Sequence, residues 1–304
     1  MTTSLLLLVC LRLVAEDQVI PLKVESGAIE EGRDSRIFNV PVNIRGDEHR
    51  FIWACGGWTT IRESLARDLS LPIAEDDETA GYTDASGQPM FVGKTRMPLS
   101  FGGIAQNVSM KVARDAAYNK GLAGIIGYDV ASRFQWEVNP DPKAPTLTLR
   151  PAGTARPANP LATLPLRDEA DNLWIPVTIR NASVEVLLAP QLSDIQAAPD
   201  MQKAWDIETG QGHDVASEFG NLRTRRLVGA KDVVELSPEV REAGCTVMLV
   251  GDKNHPERTP NARSGLGQSF LNRFTYCVDP RIGKFWVLKK MHPPRPTTRP
   301  HPAP

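Results

Sequence analysis

The stretch FNVPVNIRGDEHRFIWA, residues 38–54, decides the predicted fold because it occurs twice. Its counterpart LWIPVTIRNASVEVLLA, residues 173–189, aligns with it without a gap at a constant separation of 135 residues. In both copies apolar and polar residues alternate, a turn follows at Arg-Gly-Asp or Arg-Asn-Ala, and the chain returns as an apolar run. Alternation of period two that is interrupted by turn residues predicts a β-hairpin in each copy.

A second pair of segments repeats further along the chain. GIIGYDVASRFQWEVNP, residues 124–140, matches SGLGQSFLNRFTYCVDP, residues 264–280, at a separation of 140 residues. Each segment has the pattern of a glycine turn, a short helix and a strand, and another strand follows each, at 144–150 and 283–290. Two matches in the same order indicate the duplication of a unit of ordinary domain size.

Strands dominate both copies, and long helical periods are scarce. Candidate strands lie at 38–45, 50–54, 90–100, 106–113, 174–180, 184–189, 225–235 and 245–250, and candidate short helices lie at 200–208 and 237–245. This pattern predicts a mostly all-β fold of two similar β-rich lobes with short helices, at 36–150 and 166–290. A linker rich in Pro and Ala, 151–165, joins the lobes, and the Pro-rich tail at 291–304 is expected to be disordered.

Composition narrows the possible functions. The chain has 304 residues, is 41% hydrophobic and carries a formal net charge of -1, so its overall charge does not favour nucleic acid as a partner. No apolar run reaches the roughly 18 residues of a spanning helix. Residues 1–16 resemble a secretory signal peptide and predict export to the periplasm or outside, although no basic residue precedes the apolar run. Without that signal the protein is expected in the cytoplasm.

Four cysteines occur, and removal of residues 1–16 would leave three. Cys245 and Cys277 could form a disulfide, or both could be ordinary buried thiols. The histidines and cysteines show no metal-ligand spacing, and no phosphate-binding glycine motif is present. We therefore predict neither a metal nor a cofactor.

The two repeats together resemble retropepsin-like and pepsin-like aspartic peptidases, and the order of their parts is that of a bacterial retropepsin-like lobe. Such a lobe runs from a β-hairpin into Asp-Thr/Ser-Gly, through a flap hairpin, to a Gly-rich turn and a short helix. The resemblance covers residues 36–290. It implies an acid-protease fold of two duplicated β-barrel lobes with short helices and a cleft between the lobes.

In the register of that resemblance, both catalytic aspartates are absent. The first motif reads Ala54-Cys55-Gly56 and the second reads Ala189-Pro190-Gln191. An aspartic peptidase needs two facing carboxylates that share one proton, one acting as base and the other as acid. Alanine can do neither, so the resemblance implies a homologue that has lost proteolysis and keeps a cleft for a peptide or protein ligand.

The sequence is also compatible with other functions. Cys55 could be a nucleophile, or a shifted register could bring Asp194 into the site, and either would make the chain a hydrolase. A purely structural scaffold is a third possibility. No histidine stands in a recognisable relation to Cys55, which favours a packing role for that thiol. The expected ligand contacts are Trp58 on the cleft floor and the flap at 82–88, with Tyr82, Asp84 and Gly87.

Overall fold

The computed structural model describes residues 17–291 except 27–28, 31–32, 80–81, 83–87, 116–120, 154–155, 180–181, 206–212, 217–221, 228–232, 244 and 251–262. The predicted signal peptide at 1–16, flap residues Asp84 and Gly87, and all of the predicted tail except Met291 therefore lie outside the described residues. Among the described helices, none is long and apolar enough to cross a membrane.

Strands make up most of the described chain. In the first half they are β1 (Gln18–Pro21), β2 (Lys23–Ser26), β3 (Ile29–Glu30), β4 (Arg33–Asp34), β5 (Ile37–Ile44), β6 (Asp47–Trp53), β7 (Thr60–Arg62), β8 (Phe91–Phe101), β9 (Ile104–Ala113), β10 (Leu122–Ile126), β11 (Phe134–Asn139) and β12 (Thr146–Pro151). In the second half they are β13 (Ala162–Pro165), β14 (Arg167–Glu169), β15 (Asn172–Ile179), β16 (Ala182–Leu188), β17 (Ile195–Ala197), β18 (His213–Ala216), β19 (Leu222–Leu227), β20 (Val233–Ser237), β21 (Val240–Ala243), β22 (Thr246–Leu249), β23 (Gly265–Leu266), β24 (Phe274–Asp279) and β25 (Lys284–Lys290).

The helices are short. They are α1 (Glu63–Asp68), α2 (Tyr128–Ala131), α3 (Pro199–Ala204) and α4 (Gln268–Leu271), with single 3-10 turns at Asp77–Thr79 and Pro280–Ile282. The prediction of an all-β fold with short helices is therefore confirmed.

The first lobe is a sheet that closes on itself. Its strands follow the order β2-β5-β6-β10-β7-β9-β8, and β8 pairs again with β5 where Asn43 lies opposite Ser100. Alternate residues of these strands point inward, and Val40, Val42 and Leu99 are completely buried. The alternation that predicted the hairpin is therefore the alternation between the barrel interior and its surface.

The second lobe repeats the central pairing of the first. In the first lobe β6 runs parallel to β10, so that Trp53 lies opposite Ile126. In the second lobe β16 runs parallel to β23, so that Leu188 lies opposite Leu266. Both hairpins thus deliver their last strand beside the strand that precedes a glycine and a short helix, as the two sequence repeats predict.

A six-stranded sheet joins the two halves. Its order is β1-β12-β11-β24-β25-β13, and β11 of the first half pairs antiparallel with β24 of the second. Strand β13 lies within the segment predicted as a linker and pairs with β25. Ala162 and Leu164 of β13 are buried, so this part of the connection belongs to the packed structure.

One of the two predicted helices is wrong. Residues 237–243 form the end of β20, the turn and all of β21 in a hairpin in which Glu235 lies opposite Arg241, and residue 244 lies outside the described residues. Val240 is fully buried, and the partner strand supplies the backbone hydrogen bonds that a helix would have supplied locally. The other prediction, at 200–208, corresponds to α3, and residues 206–208 lie outside the described residues.

Candidate functional site

Ala54 and Ala189 occupy equivalent places at the ends of the two parallel strand pairs. The amide of Ala54 donates to the carbonyl of Ile126 at 2.9 Å, and that of Ala189 donates to the carbonyl of Leu266 at 3.1 Å. Both alanines line one cavity of about 510 Å³. The structure thus brings the two predicted degenerate positions together on the floor of a single site.

Cys55 does not line this cavity. Its side chain is fully buried, and Sγ donates to the carbonyl of Leu188 at 2.7 Å. Leu188 precedes Ala189, so this bond ties the two halves of the floor together beneath the cavity. Burial raises the pKa of the Cys55 thiol well above its ordinary value. A thiol in this position stays protonated, which removes the property that a nucleophile requires.

Cys245 and Cys277 are also buried free thiols, so these two residues form no disulfide in the described structure. Burial raises the pKa of each to about 12. The possibility of a bridge between them is therefore wrong, and the possibility of two ordinary buried thiols is the one realised.

The side chain of Asp194 does not reach the floor of the cavity. Its side chain is 2% exposed and does not line the cavity, whereas the neighbouring Leu192 does. Ser193 Oγ donates to its carboxylate at 3.1 Å. A shifted register that brings Asp194 beside Ala54 is incompatible with the observed pairing of β16 with β23.

Three aromatic rings form one wall of the cavity. Trp58 lies 5.2 Å from Tyr82 and 6.1 Å from Phe91, measured between ring centroids, and each pair meets edge to face. Tyr82 is half exposed, and its carbonyl accepts a bond from the amide of Met90 at 2.8 Å. That bond closes the base of the predicted flap. An exposed aromatic wall of this kind suits apolar or aromatic ligand groups.

A partly buried charge cluster lies against this wall: the side chains of Asp76 and Lys111 are buried, whereas that of Glu78 is exposed. The ammonium of Lys111 lies 4.8 Å from the centre of the Trp58 ring. It also binds the carboxylates of Asp76 at 2.7 Å and Glu78 at 2.5 Å. Burial opposes ionisation of Asp76, but the hydrogen bonds and charges of Lys111 and Lys94 outweigh it and lower its pKa. The cluster fixes the Trp58 ring between the cavity and a salt bridge.

The turn between β14 and β15 reaches across from the second lobe. The carbonyl of Asp171 accepts from the amide of Gly57 at 3.0 Å, and Asn172 pairs with Gly56. A side chain at Gly56 would meet Asn172 Oδ1 at 2.5 Å, so a larger residue there would displace the Asn172 side chain. Asp171 and Asn172 line the cavity and bound its floor on this side.

The structure places most of the described residues of the predicted site at this cavity. Of the predicted residues, Ala54, Gly56, Trp58, Tyr82, Ala189 and Gln191 line the cavity. Pro190 does not line it but shapes the turn beside it. Sequence reasoning missed Phe91, Asn172 and Gln196; Phe91 begins a strand that was predicted, but no periodicity indicates which strand end faces the site.

Metal ligands do not cluster in the described part of the chain. No three His, Cys, Asp or Glu side chains there lie close enough together to hold an ion.

Comparisons with known proteins show the fold. The chain is similar to the basic 7S globulin of soybean, with a TM-score of 0.53 at 12% identity over 91% of this chain and 96% of that one. It is also similar to an aspartic proteinase from Irpex lacteus, with a TM-score of 0.52 at 13% identity over 92% of this chain and 99% of that one. No family model matches the chain, and no curated protein matches it in sequence. The chain therefore has the two-lobed, pepsin-like aspartic proteinase fold.

Proposed function

We propose that this protein is a pseudopeptidase, a retropepsin-like aspartic peptidase homologue without proteolytic activity whose cleft binds a peptide or protein segment. The observation that carries the proposal is the cavity of about 510 Å³ whose floor holds Ala54 and Ala189 at the two equivalent strand ends. The loss of two acids and the preservation of the cavity are separate properties, because function lives in the site and not in the fold.

Loss of peptidase chemistry is supported by what surrounds the floor. General acid–base groups typically contribute about 10²–10⁴-fold each to a reaction. Neither alanine can exchange a proton, and the one thiol beneath the floor is buried with a raised pKa. Among the described residues that line the cavity, Asp171 carries the one carboxylate, and a single carboxylate cannot form the proton-sharing pair of this mechanism.

Retained binding is supported by the shape and chemistry of the walls. The volume lies within the range of about 300–1,000 Å³ that small-ligand sites occupy. The aromatic wall of Trp58, Tyr82 and Phe91 faces a floor of small residues, which leaves room for a bulky ligand side chain. Extended peptides bind such clefts through backbone hydrogen bonds, with pockets for alternate side chains. Export of the protein is part of the proposal and depends on residues outside those described.

The test uses the purified full chain and a library of blocked peptides between pH 3 and pH 8. We expect selective binding, measured by fluorescence anisotropy, and no cleavage, measured by mass spectrometry. Trp58→Ala should weaken binding about tenfold or more, since buried aromatic anchors dominate such sites. Trp174→Ala is the matched control, because Trp174 stacks on Arg167 and does not line the cavity.

Each other outcome identifies a different function. Cleavage that disappears in Cys55→Ala would make the protein a thiol hydrolase and overturn the proposal. Cleavage that survives this substitution would place a carboxylate pair elsewhere. Absence of both binding and cleavage would leave a structural scaffold as the function.

A further inference from the structure

We propose that Gln191 is the specificity-determining polar residue of the cleft, and that its carboxamide pairs with one backbone amide of the bound peptide. This inference rests on the proposed function and assigns the ligand group that the floor recognises. Gln191 stands where the second motif of the fold would have its glycine, and it lines the cavity beside Ala189.

A rigid turn presents Gln191 to the cavity. The amide of Leu192 donates to the carbonyl of Ala189 at 2.9 Å, which closes a four-residue turn with Pro190 at its second position. Proline restricts the backbone there to the conformation that such turns need. Gln268 is 2% exposed, and its side-chain Nε2 donates to the carbonyl of Pro190 at 2.7 Å. Its backbone N–H donates to the carbonyl of Leu192 at 2.8 Å. The position of Gln191 is therefore set before a ligand arrives.

The carboxamide of Gln191 is incompletely paired. Its Oε1 atom is buried and accepts no hydrogen bond from any residue that the structure describes. Such an acceptor costs free energy in the folded protein, and each case in a native protein calls for an explanation. Oε1 is closed to solvent in the unliganded protein, so a ligand pairs with it when the half-buried side chain turns toward the cavity, and an N–H donor then removes this cost.

The first lobe offers no similar group. Gly56 occupies the matching position and has no side chain, and Asn172 Oδ1 lies where its Cβ would point. The carboxamides of Asn172 and Gln196 also line the cavity, but each already donates to a backbone carbonyl, that of Ala170 at 2.6 Å and that of Arg263 at 2.7 Å. A bound peptide is thereby oriented, with one amide at Gln191 and a side chain toward Trp58.

An amide is the chemical complement of this residue. A carboxamide offers one acceptor oxygen and two N–H donors, so it matches a peptide group that offers one N–H and one carbonyl. A ligand without an N–H would leave Oε1 unpaired, and a site built around a hydrogen bond discriminates against ligands that lack the partner.

Gln191→Met is the test, with Gln196→Met as the matched control. Gln196 also lines the cavity, but its Nε2 already donates to the carbonyl of Arg263 at 2.7 Å. The probe is the tightest-binding member of a library of acetylated pentapeptide amides, together with its ester analogues, in which one N–H at a time is replaced by oxygen. Binding is measured by calorimetry and thermal unfolding is measured without ligand.

We expect Gln191→Met to lower the affinity for the amide probe by about three- to tenfold, which is the effect of one hydrogen bond. The same substitution should leave unchanged the affinity for the one ester analogue that lacks the paired N–H, because the two changes remove the same bond. It should also raise the unfolding midpoint by about 2–6 °C, since it removes an unpaired acceptor. Gln196→Met should lower the midpoint, because it breaks a bond that exists.

Three results would overturn the inference. Equal affinity of Gln191→Met and wild type for the amide probe would show that the carboxamide contacts no ligand donor. A lowered midpoint would show that Gln191 is stabilised within the protein. A wild type that binds no peptide at all would instead reject the proposed function, and the inference with it.

Discussion

Removal of the Asp279 carboxylate should strongly destabilise the protein, because this side chain holds the central sheet to both halves. Asp279 ends β24 and is fully buried. It accepts bonds from Gln135 Nε2 of β11 at 3.2 Å and from the backbone amide of Gly153, just after β12, at 2.7 Å. It also accepts from the amides of Arg281 at 3.1 Å and Ile282 at 3.4 Å.

The magnitude follows from these four donors. A hydrogen bond to a charged group contributes about 1.5–3 kcal/mol, and water cannot readily replace the partner of a buried donor such as Gln135. Gly153, Arg281 and Ile282 are exposed, so solvent compensates part of their loss. We therefore expect Asp279→Ala to reduce the free energy of unfolding by about 3–5 kcal/mol, close to the cost of breaking other buried charged contacts. This corresponds to a fall of about 6–20 °C in the unfolding midpoint.

The assay is thermal unfolding of the full chain, followed by circular dichroism. Asp141→Ala is the control, since Asp141 caps two neighbouring amides of its own turn, those of Lys143 and Ala144, and should cost about 1 kcal/mol. Asp279→Asn keeps an acceptor oxygen, so its unfolding midpoint should lie between those of the wild type and Asp279→Ala. Equal midpoints for Asp279→Ala and Asp141→Ala would refute the reasoning, because the contacts between the halves would then contribute nothing.

Three further results are expected. Gly267→Ala should abolish soluble expression or cost at least about 3 kcal/mol, because its Cβ would lie 2.0 Å from the carbonyl oxygen of Asp194; near-normal unfolding of this variant would contradict the observed packing. The ionised Asp76 carboxylate stabilises the fold fully at pH values above its ordinary pKa of 3.8. This stability is lost as the pH falls through the lowered pKa of the folded state. The free energy of unfolding of Asp76→Asn should therefore depend less on pH than that of wild type between about pH 5 and 2. Cys55 should resist iodoacetamide at pH 8 in the native protein and react after denaturation, as measured by peptide mapping; rapid native labelling would revive the thiol hydrolase.

Some elements of the site are legible from the sequence because they are local. The period-two alternation of residues 38–54 and 173–189 specifies two hairpins, and burial of one face of each strand sets their register. A motif position that holds alanine cannot exchange a proton in any fold, so the absence of both carboxylates is visible without coordinates. The misassigned helix at 237–245 shows the limit, since its strand partner in β20 overrides local propensity.

Sequence by itself determined the duplicated β fold and the absence of an acid at positions 54 and 189, because strand pattern and residue identity are properties of short segments. Tertiary structure alone decided which side chains meet at the site. It placed the Cys55 thiol against the carbonyl of Leu188, 133 residues away, and set Phe91 beside Trp58. It also left Gln191 Oε1 without a partner among the described residues. Contacts of this kind join distant strands through packing, and no local periodicity encodes the distance between two residues that far apart in the chain.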